Sequence, residues 1–173
     1  MKFAVSARPL LFVAPLFPLF LAGCGGGGTS PNPGTSGPAI VDNALTRDDF
    51  RDTKNNRFYD IFVCDVRENG VASIEMRSND VDAYVLVYRK NSSGDFDLVD
   101  QNDDISAQNS DAHLEFDVAR GKSYRIIATS ANDDERGDYS LYFSQNLGRP
   151  ARVLPDANRT AQSLELPLIT RKK

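Results

Sequence analysis

The sequence predicts an all-β domain, a β-sandwich or jelly roll of about seven or eight antiparallel strands. Three observations predict it. Apolar runs are short and recur every eight to twelve residues, separated by turn-forming residues. Within the runs the apolar period is two, so one face is buried and the other wet. No window of ten or more residues carries an amphipathic helical pattern.

The elements follow in chain order. Residues 1–23 carry Lys2 and Arg8, no acidic residue, and a proline-broken apolar run too short to span a bilayer, which reads as a cleavable export signal. Residues 25–38, Gly-Gly-Gly-Gly-Thr-Ser-Pro-Asn-Pro-Gly-Thr-Ser-Gly-Pro, hold no large apolar side chain and form a flexible tether. As a coil its ends are about 20 Å apart. The predicted strands are 58–66, 71–77, 83–89, 96–100, 112–118, 123–129 and 138–143. Alternation sends Ala72, Ile74 and Met76 inward, then Leu114, Phe116 and Val118, then Tyr139, Leu141 and Phe143. Residues 60–66 are apolar on both faces and fit either register. Asn69-Gly70 offers the positive φ angles of a tight hairpin, and residues 91–94, 119–121 and 131–137 read as loops. In the last segment, 149–173, Leu164-Glu-Leu-Pro-Leu-Ile169 reads as an edge strand limited by Pro167, or as a partly disordered arm.

Charge divides the chain. Residues 39–148, the expected domain, hold 12 Lys and Arg against 22 Asp and Glu, whereas 149–173 are net basic. Phosphate binding needs a basic face, so an acidic body excludes nucleic acid as the expected partner and suits divalent cations. The cysteines are Cys24 and Cys64. Cys64, within a strand, reads as a small core hydrophobe.

Leu21-Ala22-Gly23-Cys24, between the apolar run and the glycine tract, resembles the lipobox of bacterial lipoproteins. The resemblance implies diacylglycerol on Cys24 and cleavage before it, leaving residues 24–38 as lipidated anchor and tether. Two or three acyl chains at about 0.8 kcal/mol per buried methylene hold such a protein on the membrane without a spanning helix. With Cys24 acylated, Cys64 has no disulfide partner. By resemblance to enterobacterial sorting, Gly25 after the cysteine implies a cell-envelope location, the outer membrane in a Gram-negative organism.

A second resemblance rests on six pieces in order: Phe58-Tyr-Asp-Ile-Phe62, Asn79-Asp-Val-Asp-Ala-Tyr-Val-Leu-Val-Tyr88, Asp100-Gln-Asn-Asp-Asp104, Asp111-Ala-His-Leu-Glu-Phe116, Gly121-Lys-Ser-Tyr124 and Gly137-Asp-Tyr-Ser-Leu141. Together they resemble the bacterial pre-peptidase C-terminal domain, related to the collagen-binding domains of bacterial collagenases. The resemblance implies a β-sandwich with binding or stabilising behaviour and no catalysis of its own. It departs from the usual pattern in that tether and lipid occupy the place of a peptidase.

Candidate chemistry concentrates in acidic loops. Asp80, Asp82, Asp103 and Asp104 are expected on two neighbouring loops, with the oxygen density that suits Ca²⁺, and calcium binding in the collagenase relatives points the same way. Asp100, Asn102 and Asp104 also have the 1, 3, 5 spacing of an EF-hand, but Ile105 stands where that loop needs glycine. The plainer reading is that these aspartates end strands and cap turns. Residues 133–135 read as a solvated acidic tip, and Arg136-Gly137-Asp138 spells an adhesion tripeptide at a turn. His113 falls on a polar strand face, and a single histidine excludes a His-Glu-x-x-His zinc site. Tyr84, Tyr88, Tyr139 and Tyr142 are candidates for a sugar- or peptide-binding face, or for packing.

The expected function is that of a lipid-anchored, non-enzymatic envelope protein. Its sandwich binds or stabilises a protein or polysaccharide, with calcium as a candidate cofactor. The alternatives are a structural lipoprotein of an envelope complex and a hydrolase using a carboxylate pair.

Overall fold

The computed structural model describes residues 38–155 and 166–167, and among them are ten strands and no helix. The strands are β1 Ala39–Leu45, β2 Phe50–Asp52, β3 Arg57–Asp65, β4 Gly70–Arg77, β5 Ala83–Lys90, β6 Phe96–Asn102, β7 Ala112–Val118, β8 Ser123–Ser130, β9 Gly137–Phe143 and β10 Ala151–Val153. They form two antiparallel sheets, one in the order β1-β9-β4-β7 and one in the order β10-β3-β8-β5-β6, with β2 also paired to β3. The protein is a β-sandwich, as the period-two pattern predicted.

The inner faces meet as the alternation requires. Ala72, Ile74 and Met76 of β4, Leu114, Phe116 and Val118 of β7, and Tyr139, Leu141 and Phe143 of β9 are all buried in one core. Facing them are Phe58, Phe62 and Cys64 of β3, Val85 and Val87 of β5, and Tyr124, Ile126 and Ala128 of β8. Phe62 meets Phe143 edge-on across the layers at 6.2 Å. Burial pushes the free Cys64 thiol up to about 12, so it is inert packing rather than a nucleophile.

The two outer faces differ. β4, β7 and β9 show polar residues to solvent, whereas the six-stranded sheet buries a second cluster outside: Tyr59, Ile61, Tyr84, Leu86, Tyr88 and Ile127, joined by Leu166. Two-sided burial explains why residues 60–66 read equally well in both registers. Phe58, Asp60, Phe62 and Cys64 point into the sandwich, and Tyr59 and Ile61 point out.

Several expectations change. Asn69-Gly70 joins β3 to β4 across the two sheets and is no hairpin. Gly70 does adopt a positive φ of 152°, and the Asn69 side chain accepts the Arg120 N–H at 2.8 Å. The strands part because β3 is apolar on both faces and β4 on one, so each belongs to a different sheet. One hairpin joins β2 to β3 through residues 53–56. There Asp52 accepts the Lys54 N–H at 3.0 Å and Asn56 takes a φ of 52°. The loop read at residues 91–94 closes a second hairpin, between β5 and β6, with Gly94 at φ 93°. β1, β2 and β10 are additional to the predicted strands, two of them only three residues long. An edge strand does come from the basic segment, but it is β10; of residues 164–169 only Leu166 and Pro167 are described, and neither is in a strand. The signal, Cys24 and the tether up to residue 37 lie outside the described residues.

One charged group sits between the layers. Asp60, on the inward face of β3, is completely buried. Its Oδ2 accepts the Tyr139 hydroxyl at 2.6 Å and the Asn43 amide at 2.8 Å, both from the opposite sheet. Its Oδ1 accepts Nε and Nη2 of Arg152, at 3.0 and 2.6 Å, and Arg152 also reaches Asp49 at 2.5 Å. One carboxylate thus joins β1, β9, β3 and β10. Burial raises the Asp60 carboxyl above its ordinary value of 3.8; bonds from Tyr139 and Arg152 oppose the rise without cancelling it, and the charge of Asp49 adds to it. Because the folded state then holds that proton more tightly than the unfolded chain, acid does not unfold the sandwich through this group.

Asp60→Ala takes the buried acceptor from the Tyr139 hydroxyl and leaves Arg152 only Asp49, and is expected to cost about 3–5 kcal/mol. Tyr139→Phe, removing one bond, costs about 1–3 kcal/mol. The urea midpoint of unfolding measures both.

Candidate functional site

The structure does not gather Asp80, Asp82, Asp103 and Asp104 into a ligand set. Among the described residues no three His, Cys, Asp or Glu side chains are grouped to hold a metal ion. Asp80 Oδ2 accepts the Asp138 N–H at 3.0 Å, closing the β4–β5 turn onto the start of β9. The Asp82 carbonyl accepts the Ala131 N–H at 2.8 Å, and its carboxylate accepts the Asn132 amide at 3.4 Å. Asp103 is buried and Asp104 half-buried after β6. The EF-hand spacing fails for a second reason: Asp100 and Asn102 lie within β6, paired to Val87 and Val85, so no loop runs through them. The aspartates act as turn and strand-end residues among the described residues.

The third acidic loop is more than a solvated tip. Glu135 accepts the Ser130 hydroxyl, the Asp82 N–H at 2.9 Å and the Asn132 amide at 3.1 Å, which pins residues 131–135 to the start of β5. Partial burial works to raise its carboxyl, but those three bonds prevail and hold it below its ordinary value of 4.5. Next to it, Gly137 of the Arg-Gly-Asp tripeptide lies so close to Asp80 that an added Cβ would fall 2.3 Å from the Asp80 Cβ. The glycine is required by packing, and Arg136 lies over the Phe58 ring at 5.8 Å.

The four tyrosines occupy three surfaces. Tyr139 is in the core, Tyr84 and Tyr88 are covered on the outside of the six-stranded sheet, and Tyr142 stands on the outside of the four-stranded sheet.

Among the described residues that last face carries no covering segment. β1 contributes Ile40, 59% exposed, directly opposite Tyr142 of β9, and Val71 of β4 is likewise exposed. Arg77 lies over the Tyr142 ring at 4.7 Å, with its Nε on Glu75 Oε1 at 2.5 Å. His113 stands between Glu75 and Glu115, at 3.9 and 3.8 Å, on the polar face its alternation predicted. Glu75, His113, Tyr142 and Ser73 line a depression of about 320 Å³; Arg77, Asp42, Asp80 and Asp138 line a neighbouring one of about 660 Å³. Both are open. A half-buried ring with a stacked guanidinium, flanking carboxylates and the exposed Ile40 nearby is equipped to contact a polar or amphipathic surface. Arg77 was missed in sequence, where it is only the polar end of a strand; that Glu75 and Tyr142 meet it follows from the pairing of β4 with β9.

No family model matches the chain, and a search of curated proteins finds no match.

Glu135 contributes stability above its unfolded-chain value and loses it as pH falls through its lower folded value. Glu135→Gln is therefore expected to lower the melting temperature at neutral pH and to flatten its decline below about pH 4.5. Thermal melts across that range measure it. With no ligand set among the described residues, millimolar calcium and excess chelator are expected to give the same melting temperature. Binding at one hundred times Kd would add about 2.7 kcal/mol, so a rise of several degrees that Asp80→Asn removes would show an ion bound.

Proposed function

We propose that this chain is a lipid-anchored, non-catalytic cell-envelope protein whose β-sandwich binds or stabilises an extracytoplasmic partner, a protein or a polysaccharide. The observation that carries the reading is the exposed face of the four-stranded sheet, where Ile40, Tyr142, Arg77 and His113 share one side. The sequence supports the rest. Leu21-Ala22-Gly23-Cys24 supplies the anchor, and the fourteen residues after it supply reach. The β-sandwich is the fold that the resemblance to the pre-peptidase C-terminal domain implies, and binding without catalysis is what that resemblance implies of function.

On this reading the lipid sets the location and the sheet face makes the contact. A tethered module searches only a shell of about the tether length above the membrane, which raises the effective concentration of any partner in the same layer. The acidic body keeps the domain off anionic lipid headgroups, so the partner and not the bilayer surface is what the sheet face meets.

Two measurements test it. Cys24→Ala is expected to move the protein from the membrane pellet to the soluble fraction. A photo-crosslinking residue placed at Tyr142 in the intact, anchored chain is expected to capture a partner, while the same residue at Glu68, off that face, captures none. Retention of the Cys24→Ala chain in the pellet argues against the anchor. Equal capture, or none, at both positions argues against the face.

A further inference from the structure

The covered face of the six-stranded sheet shows how it is covered. Leu166 is buried among Tyr59, Tyr84, Tyr88 and Ile127. Its carbonyl accepts the Asn55 amide at 3.2 Å, and the next carbonyl, that of Pro167, accepts Arg57 Nη2 at 3.2 Å. Both donors come from the β2–β3 hairpin, and Asp52 holds them: it accepts the Asn55 amide at 2.6 Å and faces Arg57 at 3.6 Å. Arg57 is only 2% exposed and lies over the Tyr84 ring at 5.5 Å, with Nε and Nη1 making no hydrogen bond.

Such a site reads little: one branched apolar side chain, a proline without an N–H, and two successive main-chain carbonyls. Pro167 prevents the segment from continuing as a ladder strand, so side chains rather than a strand edge hold it. Nothing in that set requires the segment to belong to the same chain. A buried guanidinium with spare donors can also donate to more oxygen than the one carbonyl it meets.

We propose that the β2–β3 hairpin and the outer face of the six-stranded sheet form a receptor site for an extended Leu-Pro segment of a partner protein. The chain's own Leu166-Pro167 occupies it as the competing ligand in cis. The proposal rests on the binding reading above and adds a second face with a defined ligand chemistry. The tethered segment acts at about millimolar effective concentration, so a partner segment enters only by exceeding that competition. Occupancy by the chain's own segment also keeps the aromatic face from solvent until a partner arrives.

The test uses the full chain with a recognition sequence for a site-specific protease inserted between Ala157 and Asn158. The domain folds with its own segment in place, and cutting afterwards converts that segment to an exchangeable ligand. The probe is a fluorescent peptide of residues 161–173. Saturable binding to the cut chain, at least tenfold weaker binding to the intact chain, and at least tenfold loss when the peptide carries Leu166→Asp or Pro167→Ala support the site. Those substitutions lie in the peptide and leave the folded chain untouched; Asn55→Ala in the chain is expected to weaken binding as well. No binding to the cut chain, or equal binding of a scrambled peptide, overturns the proposal. Dimers of the intact chain that Leu166→Asp abolishes would also overturn it, because the site would then serve a second copy. Crosslinking at Tyr142 reads the other face, so either result leaves that one standing or falling by itself.

Discussion

The Asp60 carboxylate is the contact on which the arrangement of the two layers turns. Apolar packing is non-directional: it holds two sheets together but does not fix which strand lies over which. A buried charge does, because it is tolerated only where its donors converge. Tyr139 and Asn43 approach it from one sheet and Arg152 from the edge of its own, so β9, β1 and β10 each have one acceptable position relative to β3. The short strand β10, with three exposed residues, has little apolar area to hold it. Arg152 on the carboxylate gives it a specific hold.

A second constraint follows from strand composition. β3, β5 and β8 are apolar on both faces, so the sheet they form needs cover on its outside as well as a partner inside. The opposite sheet is built from alternating strands and needs cover on one side only. This asymmetry divides the surface into an open polar face with Tyr142, Arg77 and His113 and a closed aromatic face capped by Leu166. A proline-containing segment suits the cap, since it covers side chains without extending the ladder.

In the acidic loops the carboxylates serve the turns. Asp80, Asp82 and Glu135 are close in the fold, but each has a backbone or side-chain task at a turn, and a carboxylate engaged with N–H donors is committed to shape. Arg-Gly-Asp is a similar case, its glycine fixed by the approach of Asp80. Spacing in sequence reports what kinds of ligand are available; whether their oxygens converge is a property of the loops.

The sequence by itself determined the fold class, seven of the strands, and the inward residues of β4, β7 and β9, because a period of two with one wet face admits a single register. It also determined Cys64 as core and His113 as a surface residue of its strand. Only the tertiary structure decided which strands are neighbours, that Asn69-Gly70 crosses between sheets, that Asp60 points inward, and that Leu166 reaches back to Tyr59 and Tyr84. The physical reason is common to all four: local pattern encodes which face of a strand is apolar, whereas strand order, a buried charge's partners and the cover of an outer face are set by contacts between residues as far as 111 positions apart, as between Asn55 and Leu166.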